Sequence, residues 1–362
     1  MKIGIVGLPT TGKTTLFNLL TGSEEETTGF ATGKVEAHTG MVKIPDERID
    51  FLAAHYKPKK ITPATIELTD VPGLVQGAST GKGVGNQFLD AIRKVDALIH
   101  LVRVFENDQV LHPEGSINPL RDIETINMEL LFSDLGVIEN RIERIQAGKK
   151  ITKEHQAEME VMKKCQEALE NGRLIHELDM DEDEQEMLRT FGFLSEKPMM
   201  MVVNIDEKQL SEGTYPQQEA VEAFCKERNM PLIALSAKSE QEISQLEDED
   251  REMFMEELGI EEPGIHRVAR AAYDLLGLIS FLTTGEDEVR AWPIRKNTIA
   301  KKAAGKIHTD IEKGFIRAEV TAFEDFKEHP STAKLKELGK VRLEGKEYIV
   351  KDGDIINFRF NV

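Results

Sequence analysis

The sequence has few cysteines and no long apolar runs. Cys165 and Cys225 are the two cysteines of the 362 residues, and they lie far apart without a CxxC spacing, so neither a disulfide framework nor a zinc site is indicated. We expect two inert, buried thiols. No apolar run approaches the ~20 residues that cross a bilayer, and the chain opens on a strand pattern instead of a basic and apolar leader. We therefore expect a cytoplasmic protein without a membrane partner.

Positive charge is also scarce. The chain has 46 Lys and Arg against 65 Asp and Glu, a formal net charge of −19. This balance opposes general attraction to nucleic acid, because phosphate backbones are bound through Lys and Arg, and we expect no DNA partner. A local exception lies at residues 290–317, where eight basic residues stand against Asp310 and Glu312. This basic cluster is either a solvated surface or an RNA contact.

Residues 7–14 match the pattern GxxxxGK[ST]. The apolar run before them predicts a buried strand, and the residues after them predict a helix. In that setting backbone N–H groups surround phosphate oxygens, with the positive end of the helix behind them. Lys13 is then expected to reach the β and γ phosphates, and Thr14 to place its hydroxyl on Mg²⁺. The alternative is a glycine turn that binds nothing. The residues predicted to contact the nucleotide here are Thr10, Thr11, Gly12, Lys13, Thr14 and Thr15.

A second motif follows at residues 70–73, with the pattern DxxG at the end of a predicted strand. Asp70 is expected to hold Mg²⁺ through water, while the N–H of Gly73 meets the γ-phosphate. Taken alone, DxxG is usually a turn. Its position after the phosphate loop and at a strand end favours a nucleotide site.

The candidate base-binding motif departs from the guanine pattern. Residues 204–207 stand where a guanine-binding protein has NKxD, but Ile205 replaces the lysine and Glu207 lengthens the carboxylate by one methylene. A carboxylate placed for the two donors of guanine gains nothing from adenine, whose N1 is an acceptor. The departure therefore weakens a guanine assignment. Backbone groups near Ile205 could read adenine instead, in a pocket completed by Asn204, Ser236 and Ala237.

Apolar periodicity predicts a three-layer α/β fold with two additions. Short strand patterns alternate with helical ones, at residues 3–6, 64–69, 97–102, 199–203 and 232–235. From Asp122 the period becomes helical, and after a break at residues 148–150 a second apolar stripe predicts an antiparallel helical hairpin. Beyond residue 278 the pattern is β-rich, with strands predicted at 289–294, 315–323, 341–343, 348–350 and 355–360.

These motifs, in this order, resemble the YchF or Obg-like ATPase family, an Obg-related branch of the P-loop NTPases of the TRAFAC class. The likeness covers nearly the whole chain, in the segments GLPTTGKTT, FAT, DVPGLVQGASTGKGVGN, FENDQVLHPEGSINPLRDIE, NIDE and KDGDIINFRF. It implies an α/β P-loop NTPase G domain, an inserted helical hairpin and a C-terminal β-grasp (TGS) domain. The implied division is 1–121 and 196–277 for the G domain, 122–195 for the hairpin and 278–362 for the TGS domain. Thr10-Thr11 stand where family members commonly have Asn-Val.

The resemblance also implies roles for single residues. Thr32 in the FAT segment is implied as the second Mg²⁺ hydroxyl, with Thr27, Thr28 and Thr39 as alternatives. Many relatives have a water-orienting glutamine after DxxG, where this chain has Leu74. The family suggests His112 as the substitute, because an imidazole titrates near neutrality. Neither a cis arginine nor a glutamine is evident in the sequence, so slow turnover is expected.

The implied function is that of a ribosome-associated ATPase. It would prefer ATP to GTP, require Mg²⁺, and act as a monomeric nucleotide-dependent switch in translation or stress regulation. The hairpin and the TGS domain would supply the surfaces that dock on the ribosome. Two other functions stay open at this point: a GTPase assembly factor of the Obg type, and a nucleotide sensor without significant turnover.

Overall fold

A computed structural model of the chain describes residues 1–24, 38–71, 84–148 and 150–361, with the side chains at 84–87 and 248 outside the description. The chain divides into two compact units, Met1–Met41 with Glu67–Val268, and Val42–Ile66 with Ala269–Val362. Over the described ranges, no helix has both the length and the apolar composition that crossing a bilayer requires.

A six-stranded sheet in the order β2-β4-β1-β5-β6-β7 lies mainly in the first unit. Its strands are β1 (Lys2–Val6), β2 (His38–Lys43), β4 (Thr65–Asp70), β5 (Ala97–Arg103), β6 (Met199–Asn204) and β7 (Leu232–Leu235). β1 pairs in parallel with β4 and β5, β5 with β6, and β6 with β7. Because parallel strands end at the same edge, the residues that follow β1, β4, β5 and β6 meet there, where ligands bind in such folds.

Helices alternate with these strands, as the sequence predicts. They are α1 (Lys13–Thr21), α3 (Val84–Arg93), α4 (Pro119–Gln146), α5 (Lys153–Glu170), α6 (Glu182–Leu188), α7 (Glu207–Glu212), α8 (Gln218–Glu227), α9 (Ala237–Ser244), α10 (Asp248–Glu257) and α11 (Gly264–Leu275). A 3₁₀ turn spans Ile175–Glu177. β5 is buried along its whole length, as its continuous apolar run predicts for a strand covered on both faces.

Helix α4 begins three residues before the predicted start at Asp122. The side chain of Asn118 accepts a hydrogen bond from the N–H of Arg121 (3.2 Å), and Pro119 occupies the first helical position. Both are helix-start signals, because the cap satisfies a free N–H and proline lacks one. The earlier start matters for function, since it places Asp122 inside the first turns of the helix and next to the loop that precedes it.

Helices α4 and α5 pack on each other through an apolar core. The guanidinium of Arg141 makes two hydrogen bonds with the carboxylate of Glu158, at 2.6 and 2.9 Å. The buried residues of this core include Leu131, Ile138, Val161, Met162, Cys165 and Leu169. The second apolar stripe predicted from the sequence therefore packs against α4, through Met162, Cys165 and Leu169 of α5.

A buried carboxylate ties α4 to the segment that leads into β6. Asp134 accepts hydrogen bonds from the N–H of Leu194 (3.0 Å), the N–H of Ser195 (2.7 Å) and the hydroxyl of Ser195 (2.6 Å). Such a group is tolerated in a core because donors surround it. The carboxylate thereby fixes the point at which the chain returns to the sheet.

The second unit contains a six-stranded sheet in the order β11-β10-β12-β8-β9-β3. Its strands are β3 (Lys60–Thr62), β8 (Leu278–Thr283), β9 (Glu288–Arg295), β10 (Phe315–Ala322), β11 (Arg342–Glu344) and β12 (Asp354–Phe360). Its helices are α2 (Glu47–Tyr56), α12 (Ala300–Ile307), α13 (Thr309–Lys313), α14 (Phe323–Glu328) and α15 (Thr332–Glu337). Its apolar core includes Phe281, Ile294, Ala303, Val320, Ile356 and Phe358.

The segment 42–66 groups with the C-terminal residues, whereas the predicted division kept it in the first part of the G domain. β3 pairs in parallel with β9, with Lys60 opposite Glu288. Arg48 at the start of α2 bonds to the carboxylate of Asp352 at 2.7 Å. Asp46 after Pro45 is a helix-start signal in the sequence, and its carboxylate caps α2 by accepting from the N–H of Arg48. Local sequence signals locate α2 correctly but do not reveal which distant strand a short strand will pair with.

Two features of the C-terminal β pattern differ from the prediction. The strand predicted at 348–350 is wrong, because Ile349 forms an isolated bridge with Ile299, just before α12. β8 was not predicted, because its apolar residues follow directly on those of α11; Gly277, with φ of 65°, ends that helical stretch.

Both cysteines are free and buried, as expected. Burial raises the pKa of the Cys165 thiol to about 12 and that of the Cys225 thiol to about 11. Because the thiolate is the reactive form, both side chains are inert near neutral pH.

Candidate nucleotide-binding site

The loop between β1 and α1 adopts a backbone that two glycines make possible. Gly12 caps α1 with φ of 96°, a left-handed conformation that favours glycine. A Cβ at Gly12 would lie 2.6 Å from Nδ2 of Asn204, and one at Gly7 would clash with the carbonyl oxygen of Leu101. Both glycines are therefore required by close approach of the neighbouring strands. The predicted strand–loop–helix context of the GxxxxGK[ST] motif is confirmed.

Lys13 is buried at the first position of α1. Its ammonium donates to the carbonyl oxygen of Leu8 at 2.7 Å, and the hydroxyl of Thr11 donates to the same oxygen at 3.0 Å. Burial lowers the pKa of Lys13 to about 8, and the nearby Asp70 carboxylate opposes that shift. The ammonium thus lies within the loop, close to backbone groups that can bind phosphate.

Thr14 and Asp70 form an oxygen pair beside the loop. The hydroxyl of Thr14 donates to Oδ2 of Asp70 at 2.9 Å, and Asp70, the last residue of β4, lies opposite Ile5 of β1. Hydroxyl and carboxylate oxygens are the ligand types that Mg²⁺ prefers. Thr14 would hold such an ion through its hydroxyl, and Asp70 would hold it through water. Thr32 and Gly73, which the sequence also predicts here, lie outside the described residues, as do the alternatives Thr27 and Thr28 and the position of Leu74.

Asn204 at the end of β6 links the phosphate loop to the loop after β7. Its Nδ2 donates to the carbonyl oxygen of Thr11 and its Oδ1 accepts from the N–H of Ala237, both at 3.0 Å. The residue is 4% exposed. Ser236 caps α9, since its hydroxyl oxygen accepts from the N–H of Ser239. Asn204, Ser236 and Ala237 are thus brought together as the sequence predicts, with Asn204 engaged by the protein itself.

The acidic residues after Asn204 have different surroundings. The carboxylate of Asp206 caps α7 by accepting from the N–H of Gln209 at 2.8 Å. Glu207 is exposed at the first position of α7. Ile205 is buried, and its N–H donates to the carbonyl oxygen of Leu235. A buried, apolar Ile205 cannot act as the charged stem that lies along a guanine in NKxD proteins.

His112 lies in the loop between β5 and α4, and its ring is buried. Its Nδ1 accepts from the N–H of Glu114 at 3.2 Å, and its Nε2 lies 3.0 Å from Oδ2 of Asp122. Burial lowers the pKa of His112, the Asp122 carboxylate opposes this, and Arg103 and Arg121 reinforce it. The imidazole is therefore neutral near pH 7 and faces α4. Asp122 was not identified from the sequence as its partner, although an Asp in the first turns of a helix after a candidate loop was a usable signal.

The loop carrying His112 touches the phosphate loop directly. The hydroxyl of Thr10 donates to the carbonyl oxygen of Leu111 at 3.4 Å. Arg103, the last residue of β5, reaches both segments, and it too was not identified from the sequence. A single charged residue at the end of a continuous apolar strand, at the edge where ligands bind, was the signal that could have found it.

The site geometry and the parallel sheet define a P-loop NTPase domain. Residues 2–134 match the family MMR_HSR1, described as a 50S ribosome-binding GTPase. Residues 278–361 match the family YchF-GTPase_C, described as a protein of unknown function.

Full-length comparisons give the family. The chain is 47% identical over 362 residues to the ribosome-binding ATPase YchF of Escherichia coli O157:H7, covering 100% of this chain and 99% of the relative. It is 43% identical over 364 residues to that of Bacillus subtilis (strain 168), covering 100% of both. The structure of the Schizosaccharomyces pombe YchF GTPase is similar with a TM-score of 0.86 and 32% identity, over 99% of this chain and 97% of that one. The chain belongs to the YchF family.

The low pKa of Lys13, about 8, predicts a pH-dependent affinity for triphosphate. Below pH 8 the free protein carries the ammonium; above it the amine must take up a proton to bind. The Kd of a non-hydrolysable nucleotide should therefore be flat up to the pKa and then rise by up to about tenfold per pH unit. Calorimetric titration from about pH 7.5 to about pH 9.5 measures this, above the range in which the phosphates themselves titrate.

Lys13→Arg is the matched control, because a guanidinium keeps its charge throughout this range. Its Kd should show no slope, whatever its absolute value. A flat profile in the unmodified protein would contradict the prediction.

Proposed function

We propose that this protein is an ATPase that binds and hydrolyses ATP with Mg²⁺ at the loop between β1 and α1, and that it acts on the ribosome as a nucleotide-dependent switch. The observation that carries this assignment is the joint position of Lys13, Thr14 and Asp70 at one edge of the sheet. Relatives that are 43% and 47% identical over their full length are named ribosome-binding ATPases, which supports the same activity here.

The metal would be held by Thr14 and Asp70, with Thr32 as the proposed second hydroxyl. Bound Mg²⁺ neutralises charge on the β and γ phosphates during transfer. Lys13 would bind the same phosphates, and the N–H groups of residues 10–15 and of Gly73 would orient them. Each of these groups binds or orients the nucleotide.

Adenine is favoured over guanine by the surroundings of residues 204–207. Asp206 is occupied as the cap of α7, and Ile205, at the lysine position of NKxD, is buried. Glu207, at the aspartate position, is exposed and has one methylene more than aspartate. We propose that Asn204, Ile205, Glu207, Ser236 and Ala237 form an adenine pocket. A GTPase is the second candidate, because the family matched by residues 2–134 is described as a GTPase and the similar Schizosaccharomyces pombe protein is named one.

Competition between ATP and GTP for the purified protein with Mg²⁺ tests the base preference. We expect ATP to bind more tightly, and the double variant Ile205→Lys with Glu207→Asp, which restores NKxD, to shift the preference towards GTP by about tenfold or more. Asp206→Asn is the control, since it alters the helix cap without creating a guanine-binding carboxylate. A wide GTP preference in the unmodified protein would overturn the ATPase assignment. Single-turnover phosphate release slower than nucleotide dissociation would instead indicate a sensor.

His112 is the proposed water-positioning residue. Its ring faces Asp122, so it would have to leave that carboxylate to reach the phosphates. The contact between Leu111 and Thr10 places the same loop against the phosphate loop, which supports a short path between the two positions.

The variant His112→Ala should retain ATP affinity and lose most of its turnover, because a positioned imidazole contributes about a hundredfold or more to such reactions. Equilibrium binding and steady-state hydrolysis are measured side by side. His308→Ala, at an exposed histidine that caps α13, controls for the loss of an imidazole elsewhere. An unchanged kcat in His112→Ala would remove this residue from the mechanism.

We further propose that α4 and α5 form the helical hairpin of the family and that the second unit contains its β-grasp (TGS) domain. Both would dock a monomeric, cytoplasmic protein on the ribosome. The basic cluster at 290–317 is the candidate RNA contact. Arg295, the last residue of β9, and Lys296 after it are adjacent exposed cations of this cluster, whereas Lys302 is bound to Glu312 at 2.7 Å. Arg295 and Lys296 are therefore a compact pair of charges through which to test a phosphate contact.

Ribosome co-sedimentation over a salt series tests this surface. The variant Arg295→Glu with Lys296→Glu should weaken association and flatten its salt dependence, because fewer counterions are released. Lys94→Glu with Lys226→Glu changes the net charge equally at exposed positions outside the cluster and should leave association unchanged. Equal effects of the two double variants would exclude a specific contact at the cluster.

A further inference from the structure

Arg103 is a fully buried cation at the end of a central strand. It is 2% exposed and ranks among the largest fully buried side chains of the described residues. Its Nε donates to the carbonyl oxygen of Phe105 at 3.0 Å, and one terminal nitrogen donates to that of Val110 at 2.9 Å. The ring of Phe105 lies under the guanidinium, 4.6 Å away. All of these partners are electrically neutral.

Within the described ranges, no carboxylate is paired with this guanidinium. Burying an unpaired ion is unfavourable even after the protein relaxes around it. Burial accordingly lowers the pKa of Arg103, and no opposing carboxylate contributes. An anion bound nearby would relieve this cost.

The position of Arg103 indicates which anion this is. Its other terminal nitrogen lies 3.5 Å from both the carbonyl oxygen and the hydroxyl of Thr10, inside the phosphate loop. These two contacts are long, so the donors on that nitrogen are weakly used. Arg103 also lies opposite Asn204 in the sheet, and Asn204 bonds to the next carbonyl of the loop, that of Thr11.

We propose that Arg103 is a cis-acting cation of the phosphate site, whose guanidinium stabilises the negative charge of the terminal phosphate as transfer proceeds. Its bonds to Phe105 and Val110 keep it in place while it holds the loop that carries His112 against the phosphate loop. In related enzymes an arginine in cis or supplied by a partner performs this task. This role depends on the proposed nucleotide binding at the same loop.

A purely structural Arg103 would behave differently from a charge-stabilising one. A residue that only supports the phosphate loop does so whatever nucleotide is bound, so its loss weakens the diphosphate, the triphosphate and a transition-state analogue alike. A residue that acts only by holding the loop of His112 has no effect on kcat once His112 is replaced, so Arg103→Gln is also measured in the His112→Ala background, and an effect on kcat that disappears there would overturn the proposal. A charge-stabilising residue discriminates between them, since it contributes most when negative charge develops on the transferred group.

The test compares Arg103→Gln and Arg103→Lys with the unmodified protein, using ADP, ADP with aluminium fluoride, and steady-state hydrolysis. For Arg103→Gln we expect the Kd of ADP to change by less than about threefold, while kcat and the affinity for the fluoride complex fall by about a hundredfold or more. Arg103→Lys should lie between, because an ammonium keeps the charge but not the fork of donors. Arg93→Gln, which removes an arginine bonded to the Gly192 carbonyl and the Ser133 hydroxyl, should leave all three values unchanged.

Equal losses for ADP and for the fluoride complex, or no loss of either, would overturn the proposal. If circular dichroism shows that Arg103→Gln does not fold, Arg103→Lys provides the test. Its kcat must then fall by about tenfold while its affinity for ADP is retained. The ratio of the Kd for GDP to the Kd for its aluminium fluoride complex tests the role of Arg103 independently of the preference for adenine or guanine. A protein that prefers guanine would still require the arginine, whereas one that binds neither nucleotide would refute the proposed function itself.

Discussion

The amide of Asn204 is the interaction on which the site depends. Its two hydrogen bonds hold a carbonyl of the phosphate loop and the N–H of Ala237, so one buried side chain joins the phosphate loop to the proposed adenine pocket. A Cβ atom at Gly12 would lie only 2.6 Å from Nδ2 of Asn204, which explains why glycine precedes Lys13. A side chain that is buried and satisfied at both ends transmits small displacements of one loop to the other.

The site also contains buried positive charge. Lys13 and Arg103 both lie at the edge of the sheet with lowered pKa values caused by burial, and Arg103 adds to the lowering at His112. The protein therefore keeps cations in a poorly solvated region before any nucleotide arrives. Such preorganisation is unfavourable for the isolated fold and favourable for binding a polyanion, because little reorganisation is needed when the ligand enters.

The helical pair α4 and α5 is joined to this site through its first turns. Asp122 of α4 contacts His112, while Asp134 on the same helix anchors the return to β6. A displacement of α4 would therefore move Asp122 and, through it, His112 in the candidate catalytic loop. This gives a physical route, through packed side chains, between a surface proposed to dock on the ribosome and the residue proposed to position water.

The sequence alone predicts the strand–loop–helix around Lys13, the strand ending at Asp70, the cap at Asp46 and the family. Motif spacing, apolar period and capping chemistry are local signals, so they do not depend on the tertiary structure. Only the tertiary structure determines three other features: the pairing of β3 with β9, the contact of His112 with Asp122, and the burial of Arg103 beside Thr10. Each joins residues that are distant in the chain or on different elements. Hydrophobic patterning specifies which face of an element is buried, but not which neighbour it meets there.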